Sequence, residues 1–353
     1  MSGVLLRLAC TAAVAAQAVL APAAAVAAPA PRPSVAQLLT DLQRLYRQTE
    51  QATETYNATT EKLRRQRAEV ARLDDELARA RLTLRSGRTD AGRLARQQYQ
   101  NGGGLGPYVR LLLAPDPQHA LDEGHVIGEL ARERARTVAR LTTAEKRTDV
   151  LARAARKALD AQLGLAGRQR RQRDDVQVRL AGVERLLATL TPEQIAAVAR
   201  LEQQGVAEAQ RRLTTAGALP GDRPATPQGD RAVSYAMDQL GKPYQWGAQG
   251  PDAYDCSGLT SRAWSHAGTP IPRTSQEQWQ RLHRVALKDL RPGDLVVYFP
   301  EATHVAMYVG DGRVVQAPRP GERVRISPLA SYPVLGAVRP DGSPGQAPDT
   351  EAR

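Results

Sequence analysis

The sequence predicts an α+β protein in two parts: a long antiparallel α-helical coiled-coil hairpin, then a domain of helices packed on an antiparallel sheet. Apolar or small residues recur at alternating steps of four and three through the first half. A glycine- and proline-rich break divides that series in two, and aromatic residues, Gly and Pro reach globular density only in the second half. A chain of 353 residues has room for two or three domains.

The N-terminus, "MSGVLLRLACTAAVAAQAVLAPAAAVAAPAP", places Arg7 before a long Ala/Val/Leu run that ends in small residues. That is the layout of a secretory signal peptide over residues 1–30, cleaved near Ala28. An uncleaved anchor is the alternative, since the run approaches the ~20 residues that span a bilayer; Pro22 and the leucine-poor second half favour cleavage. Cys10 follows Arg7 by three residues and the apolar run continues past it, which disfavours lipidation. The mature chain is therefore expected in the cell envelope or outside the cell.

Residues 31–216 are rich in Ala, Leu, Arg, Gln and Glu. The first series runs through Leu38, Leu42, Leu45, Thr49, Ala52 and Tyr56 to Leu73, Leu77, Ala80 and Leu84, a 3.5-residue period typical of coiled coils. A weaker second series runs from Val138 and Leu141 through Ala155, Leu159, Val176 and Val183 to Leu190. Between them "YQNGGGLGPYVRLLLAPDPQHALDEG" predicts a non-helical tip at about 101–118, because its glycines and prolines cannot continue either helix. Arms of about 60 residues would reach on the order of 90 Å. The tip concentrates Leu105, Tyr108, Val109, Leu111, Leu112 and Leu113, which suits either a local core or a docking surface. The net charge of +12 lies mostly on the hairpin. It fits anionic envelope polymers or lipid headgroups, or arginines that simply solvate helix faces. Export and the lack of an aromatic-interleaved basic patch disfavour nucleic acid.

A Pro/Gly/Thr linker follows at 217–230, then a globular domain at 231–340 and a disordered tail at 341–353. Val233, Ala236, Met237 and Leu240 predict a helix stopped by Gly241. Cys256 is the single cysteine left after signal cleavage, within "YDCSGLT". In an oxidising compartment such a residue is a reactive thiol, an intermolecular partner or an inert core residue. Asp255 and Ser257 are good helix-start residues, so Cys256 falls at a helix N-terminus, where the dipole favours a thiolate. A nucleophilic cysteine needs a base, and His304 opens "HVAMYVGDGRVVQA", a predicted β-hairpin. With a three-residue turn at 310–312, Gln316 faces Ala306 and lies diagonal to His304 on one sheet face; a two-residue turn would put the pair on opposite faces. One cysteine and scattered histidines give no metal-ligand spacing, and no cofactor is expected.

The segments "PYQWGAQGPDAYDCSGLTSRAW", "IPRTSQEQW", "DLRPGDLVVYF" and "HVAMYVGDGRVVQAPRPGERVRI" resemble, in order, the motifs of the NlpC-type cell-wall endopeptidases, which are papain-like cysteine peptidases. The resemblance implies a helix packed on an antiparallel sheet. It implies Cys256 as nucleophile, His304 as base and Gln316 as the residue that orients it. The substrate it implies is the γ-D-glutamyl–diamino-acid bond of peptidoglycan stem peptides. Asp255 and Ser257 would line the stem-peptide pocket, Tyr244 would lie by the oxyanion, and Arg273 and Ser275 match the "RTS" segment. Gln316 replaces the more usual histidine; its carbonyl is expected to accept from imidazole Nδ1–H. Ala248 stands where a second glycine is usual. The hairpin, through its tip, is similar to the coiled coils of wall hydrolases governed by an FtsEX-type membrane transporter. Alternatives are an N-acetylmuramoyl-L-alanine amidase on the same framework and a non-catalytic wall-binding rod.

Overall fold

The computed structural model describes residues 33–101, 107–219, 221 and 223–342. The expected signal peptide, the glycine run of the tip and most of the expected tail lie outside the described residues. Among those described, no helix is long and apolar enough to cross a membrane.

Helix α1 (Val35–Asn101) and helix α3 (Pro117–Ala188) are 67 and 72 residues long, about 100 Å each, and pack against one another along their length. Their seam follows the predicted series closely in α1: Leu38, Leu42, Leu63, Leu73, Leu77 and Ala80 are buried. In α3 the prediction slips, because Val138 and Leu159 are exposed while Ala158 is buried with Ala155 against Leu73 and Leu77. The small α3 residues let the helices approach closely there. Two boundaries differ from the expectation. The tip is not wholly non-helical: α2 (Pro107–Leu112) forms a short helix, with proline at its first position where the missing N–H costs nothing. The second arm also ends early, and a separate helix α4 (Pro192–Thr215) begins at a capping box of Thr191 and Gln194 with Pro192 next.

The linker is shorter and less free than expected. Helix α5 (Pro227–Met237) starts inside the predicted linker, with Thr226 as N-cap. Leu219 packs on the sheet, and Arg223 bonds Asp289 at 2.9 Å. The expected tail is ordered at its start, where Asp341 accepts from Arg291 at 2.7 Å and from Thr226.

Helices α6 (Cys256–His266) and α7 (Ser275–Arg281) complete the helical layer. Strands β1 (His283–Val285), β2 (Leu295–Tyr298), β3 (His304–Gly310), β4 (Arg313–Gln316), β5 (Arg325–Pro328) and β6 (Val334–Arg339) form one antiparallel sheet of order β1-β6-β2-β3-β4-β5. Alternation decides the faces. Leu295, Val297, Val305, Met307 and Val315 pack under Leu259, Ala263 and Trp264, while Val296, Tyr298, Ala306 and Val314 point the other way. That second face is covered partly by Leu213 of α4 and by Leu219. Polar contacts fasten α4 there: Arg319 pairs with both carboxylate oxygens of Glu202 at 2.8 and 2.9 Å, and Gln210 bonds the backbone of Gly312 and Ala330. Arg319 also stacks 4.7 Å from the Tyr46 ring of α1.

Leu63 is 1% exposed in the α1 seam. Leu63→Ala should destabilise the hairpin by about 2–5 kcal/mol, read as a lower helical melting temperature by circular dichroism. An unchanged melt would show that the seam is held elsewhere.

Candidate active site

Asp255 is the N-cap of α6, extended at φ −93° and ψ 177°, and accepts from Gly258 N–H at 2.6 Å. Cys256 is therefore the first residue of the helix. A Cβ at Gly258 would meet Ala248 O at 2.2 Å, so the 245–249 loop can lie directly on this turn. Ala248 itself has no positive φ, so the missing second glycine is not required; its carbonyl accepts Asp255 N–H at 3.1 Å.

The Cys256 thiol lies against the backbone N–H of Val305, the residue after His304. Imidazole Nε2 of His304 lies 2.7 Å from Gln316 Oε1. The expected use of Nδ1 is therefore corrected: Gln316 sits behind the ring, and Nδ1 is turned toward the cleft. The β3–β4 turn also differs. It is a two-residue turn, with positive φ of 52° at Asp311 and 63° at Gly312. The ladder pairs Met307 with Val315 and Tyr308 with Val314, then shifts to Gly310 with Arg313, so Val309 is bulged. The bulge restores the side on which Gln316 emerges, and histidine and glutamine share a face despite the short turn. Tyr332 and Tyr298 flank the imidazole at 4.9 and 5.7 Å.

The expected pocket residues converge as well. Arg273 forms a two-point ion pair with Asp255, at 3.1 and 2.7 Å, with the arginine side chain 7% exposed and the aspartate fully buried. Arg273 also donates to Ser257 Oγ at 2.8 Å. Burial works against its charge, but Asp255 outweighs that and keeps it protonated. Ser275 Oγ donates to Ala302 O at 2.6 Å. Burial and the neighbouring Cys256 hold the Tyr244 phenol well above its ordinary range, so it remains an O–H donor beside the thiol.

What sequence reasoning missed is supplied by α1. Glu54 accepts from Ser257 Oγ at 2.6 Å and from Ser275 N–H at 2.8 Å, and lies 3.9 Å from Cys256 Sγ. Asn57 donates to Asp255 Oδ2 at 3.0 Å. Glu50 Oε1 is 3.3 Å from His304 Nδ1, and Tyr56 meets Trp246 edge-on at 5.1 Å. The cleft is filled at the nucleophile; a cavity of about 260 Å³ remains beside it, between Tyr56, Trp246 and Arg273. A signal was present. Between Leu45 and Leu63 the hairpin series contains no leucine, yet Thr49, Glu50, Thr53, Glu54 and Asn57 are all buried.

This arrangement overturns the expected thiolate. Burial pushes the Cys256 thiol well above its ordinary range, and the charges of Glu54, Asp255 and Glu50 push it further. Against those, one helix N-terminus is too weak. Burial disfavours the His304 cation, but Glu50 more than compensates and the imidazole is raised above its usual value. Burial, then the charge of Asp255, raises Glu54 to about 7 against the pull of Arg273. Among the described residues, no group of three His, Cys, Asp or Glu is disposed to hold a metal.

A cysteine opening a helix on an antiparallel sheet, with a histidine and its orienting partner on adjacent strands, defines a papain-like domain. Residues 241–335 match the model of the NlpC/P60 family. A probable endopeptidase of Mycobacterium tuberculosis is 31% identical over 343 residues, covering 85% of this chain and 89% of the relative. The chain belongs to the NlpC/P60 family. It is 45% identical over 116 residues to a probable endopeptidase of Corynebacterium glutamicum, covering 33% of this chain and 56% of that one, so it spans about half that relative's length. The crystallised NlpC/p60 domain of the peptidoglycan hydrolase SagA is 29% identical, with a TM-score of 0.30, over 31% of this chain and 97% of that one.

On the expected roles of His304 as base and Gln316 as the residue that orients it, Gln316→Ala should reduce turnover of peptidoglycan fragments by about ten- to hundredfold, against a near-complete loss in His304→Ala. Gln316→His should retain most activity. Equal losses in the two alanine variants would mean that Gln316 does more than orient.

Proposed function

We propose that this protein is a secreted cysteine endopeptidase that cleaves the γ-D-glutamyl–diamino-acid bond of peptidoglycan stem peptides, and that its own α1 helix holds it inactive. The observation that carries this reading is the His304–Gln316 pair, with the Cys256 thiol against the neighbouring Val305 backbone, beside the Asp255–Arg273–Ser257–Ser275 cluster, which already receives a carboxylate, that of Glu54. The names of the mycobacterial and corynebacterial relatives support a peptidase.

In the reaction, α1 withdraws from the cleft and the stem peptide takes its place. His304 Nδ1 accepts the thiol proton while Nε2–H donates to Gln316 Oε1. Sγ attacks the carbonyl carbon, and the developing oxyanion meets the Cys256 backbone N–H and the Tyr244 hydroxyl. The imidazolium then protonates the leaving amine as the C–N bond breaks. Water, deprotonated by His304, hydrolyses the thioester and restores the thiol.

In the closed state α1 acts in two ways. It occupies the volume a stem peptide needs, and its carboxylates keep the nucleophile protonated. The apolar residues near the tip suit a docking surface for a membrane partner of the FtsEX type: Leu112 is 83% exposed, and Leu113 and Leu121 lie near it on the surface. In this reading the partner releases α1.

Cys256→Ala should abolish cleavage of purified peptidoglycan while the fold, by circular dichroism, is retained. Mass analysis of the fragments should show stems cut after the glutamyl residue. Release of intact stems from the sugar would point to the amidase, and wall binding without fragments to a non-catalytic rod. Glu50→Ala/Glu54→Ala in the full mature chain should raise the cleavage rate on the order of tenfold, since each lost buried hydrogen bond or ion pair weakens closure by about 1–3 kcal/mol. An unchanged rate would end the inhibitory role of α1.

A further inference from the structure

Glu50 and Glu54 lie one helical turn apart on α1, and both are inserted among ionisable groups of the catalytic domain. Glu54, 1% exposed, faces Asp255 and Arg273 as well as Cys256. Its two oxygens are already taken by Ser257 Oγ and Ser275 N–H. Glu50, 5% exposed, faces His304 at 3.3 Å and lies near Tyr244, Tyr332 and Cys256. On α1 itself Asn57 approaches Glu54 at 3.5 Å. Arg273 is the permanent cation facing Glu54 and Asp255, and Asp255 already engages it at two points; Arg319 acts on Tyr332 and stacks on Tyr46, one turn before Glu50. Closure therefore packs an excess of carboxylate into a buried space, and protons are a means of balancing it.

We propose that the contact between α1 and the catalytic cleft is a proton-operated latch, closed when its carboxylate–imidazole cluster is protonated and loosened as the pH rises through neutrality. This rests on the reading of α1 as an inhibitory helix, and it adds the condition under which that helix lets go.

The sign is the same for Glu54, His304 and Cys256. Glu54 sits at about 7 when closed and would return toward its ordinary 4.5 when released into water. The closed state thus holds the proton more tightly. Its advantage is complete below about pH 4.5 and declines as the pH rises toward 7. His304 is raised above 6.5 in the closed state, so the imidazolium–Glu50 contact favours closure at low pH and is lost as the pH climbs past the raised value. The Cys256 thiol is raised well above 9, so alkaline conditions favour the open state, in which it ionises more readily. One proton released on opening shifts the equilibrium by up to about tenfold per pH unit. The latch also has a logic for catalysis, because the conditions that open it are those in which His304 is neutral and able to act as a base.

The test reads closure directly and does not depend on turnover. Amide hydrogen exchange of the full mature chain would be followed at Ser275, whose N–H is bonded to Glu54, and at Gly247, whose N–H is bonded to Asp255 beneath Asn57. Rates would be corrected for the intrinsic pH dependence of exchange. Protection at Ser275 should fall by about ten- to hundredfold between pH 5.5 and 8, with amides of the sheet core unchanged. Glu54→Gln keeps the size of the side chain, can still accept Ser275 N–H through its Oε1 while its Nε2 donates to Ser257 Oγ, and cannot ionise. It should remain closed at pH 8 and flatten most of the dependence, leaving the shallower part due to His304 and Glu50. Protection that is constant with pH in the parent protein, or an undiminished dependence in Glu54→Gln, would overturn the latch. Pronounced protection that does not vary would do so while leaving α1 as an inhibitor, whereas no protection at any pH would remove the inhibitory reading itself.

Discussion

The carboxylate of Asp255 is shared between the chain that builds the cleft and the helix that fills it. One oxygen accepts from Gly258 N–H and from Arg273, and so starts α6 and anchors the 273–275 segment; the other accepts from Gly247 N–H, Arg273 and Asn57. Cys256 owes its place at the helix start to this cap, and the loop bearing Trp246 owes its position to the same group. A buried ionised carboxylate is costly unless fully paired, and here no oxygen is left without partners. The ion pair with Arg273 is therefore a constraint on geometry more than a source of net stability. It sets where the nucleophile, the 245–249 loop and the incoming α1 helix meet.

The electrostatics of the closed site follow from that placement. A thiol at a helix N-terminus is usually a thiolate in waiting, and the sequence supports that expectation. Glu54, Asp255 and Glu50 together reverse it. The local cue, a cap followed by cysteine, is correct about position and incomplete about charge, because two of the three opposing carboxylates, Glu50 and Glu54, arrive from about 200 residues earlier in the chain.

The catalytic domain was readable because its chemistry is local. The cap at Asp255, the helix after it, the strand alternation about His304 and the turn at Gly312 each lie within a few residues of the side chain they position. Two details were not readable. That Gln316 shares the face of His304 despite a two-residue turn depends on a bulge at Val309, and a bulge leaves no periodic trace. The α1 insertion depends on a tertiary contact, and its only sign was negative: polar residues in seam positions between Leu45 and Leu63. Such residues read as a weak stretch of coiled coil until a second surface is placed against them. The end of the second arm was missed for a different reason. Thr191 and Pro192 carry an ordinary helix-start signature, but it is hidden inside a composition that stays helical on both sides.

The position of the insertion along α1 has a mechanical meaning. Glu54 lies about 30 Å from the start of the helix and about 70 Å from its far end. The start is held in a cluster with Val183 and Val198, and Arg319 ties Tyr46 and α4 to the sheet, so the base is the fixed end. A stiff rod pivoting there is a lever with an arm ratio of roughly three to one. A pull at the far end is multiplied about threefold at Glu54, while the movement it needs is correspondingly larger, on the order of 10 Å for the 3 Å that parts a hydrogen bond. Thermal jostling along the rod lacks that coherence. A directed pull at the tip has it, and hairpin length is then what separates the two.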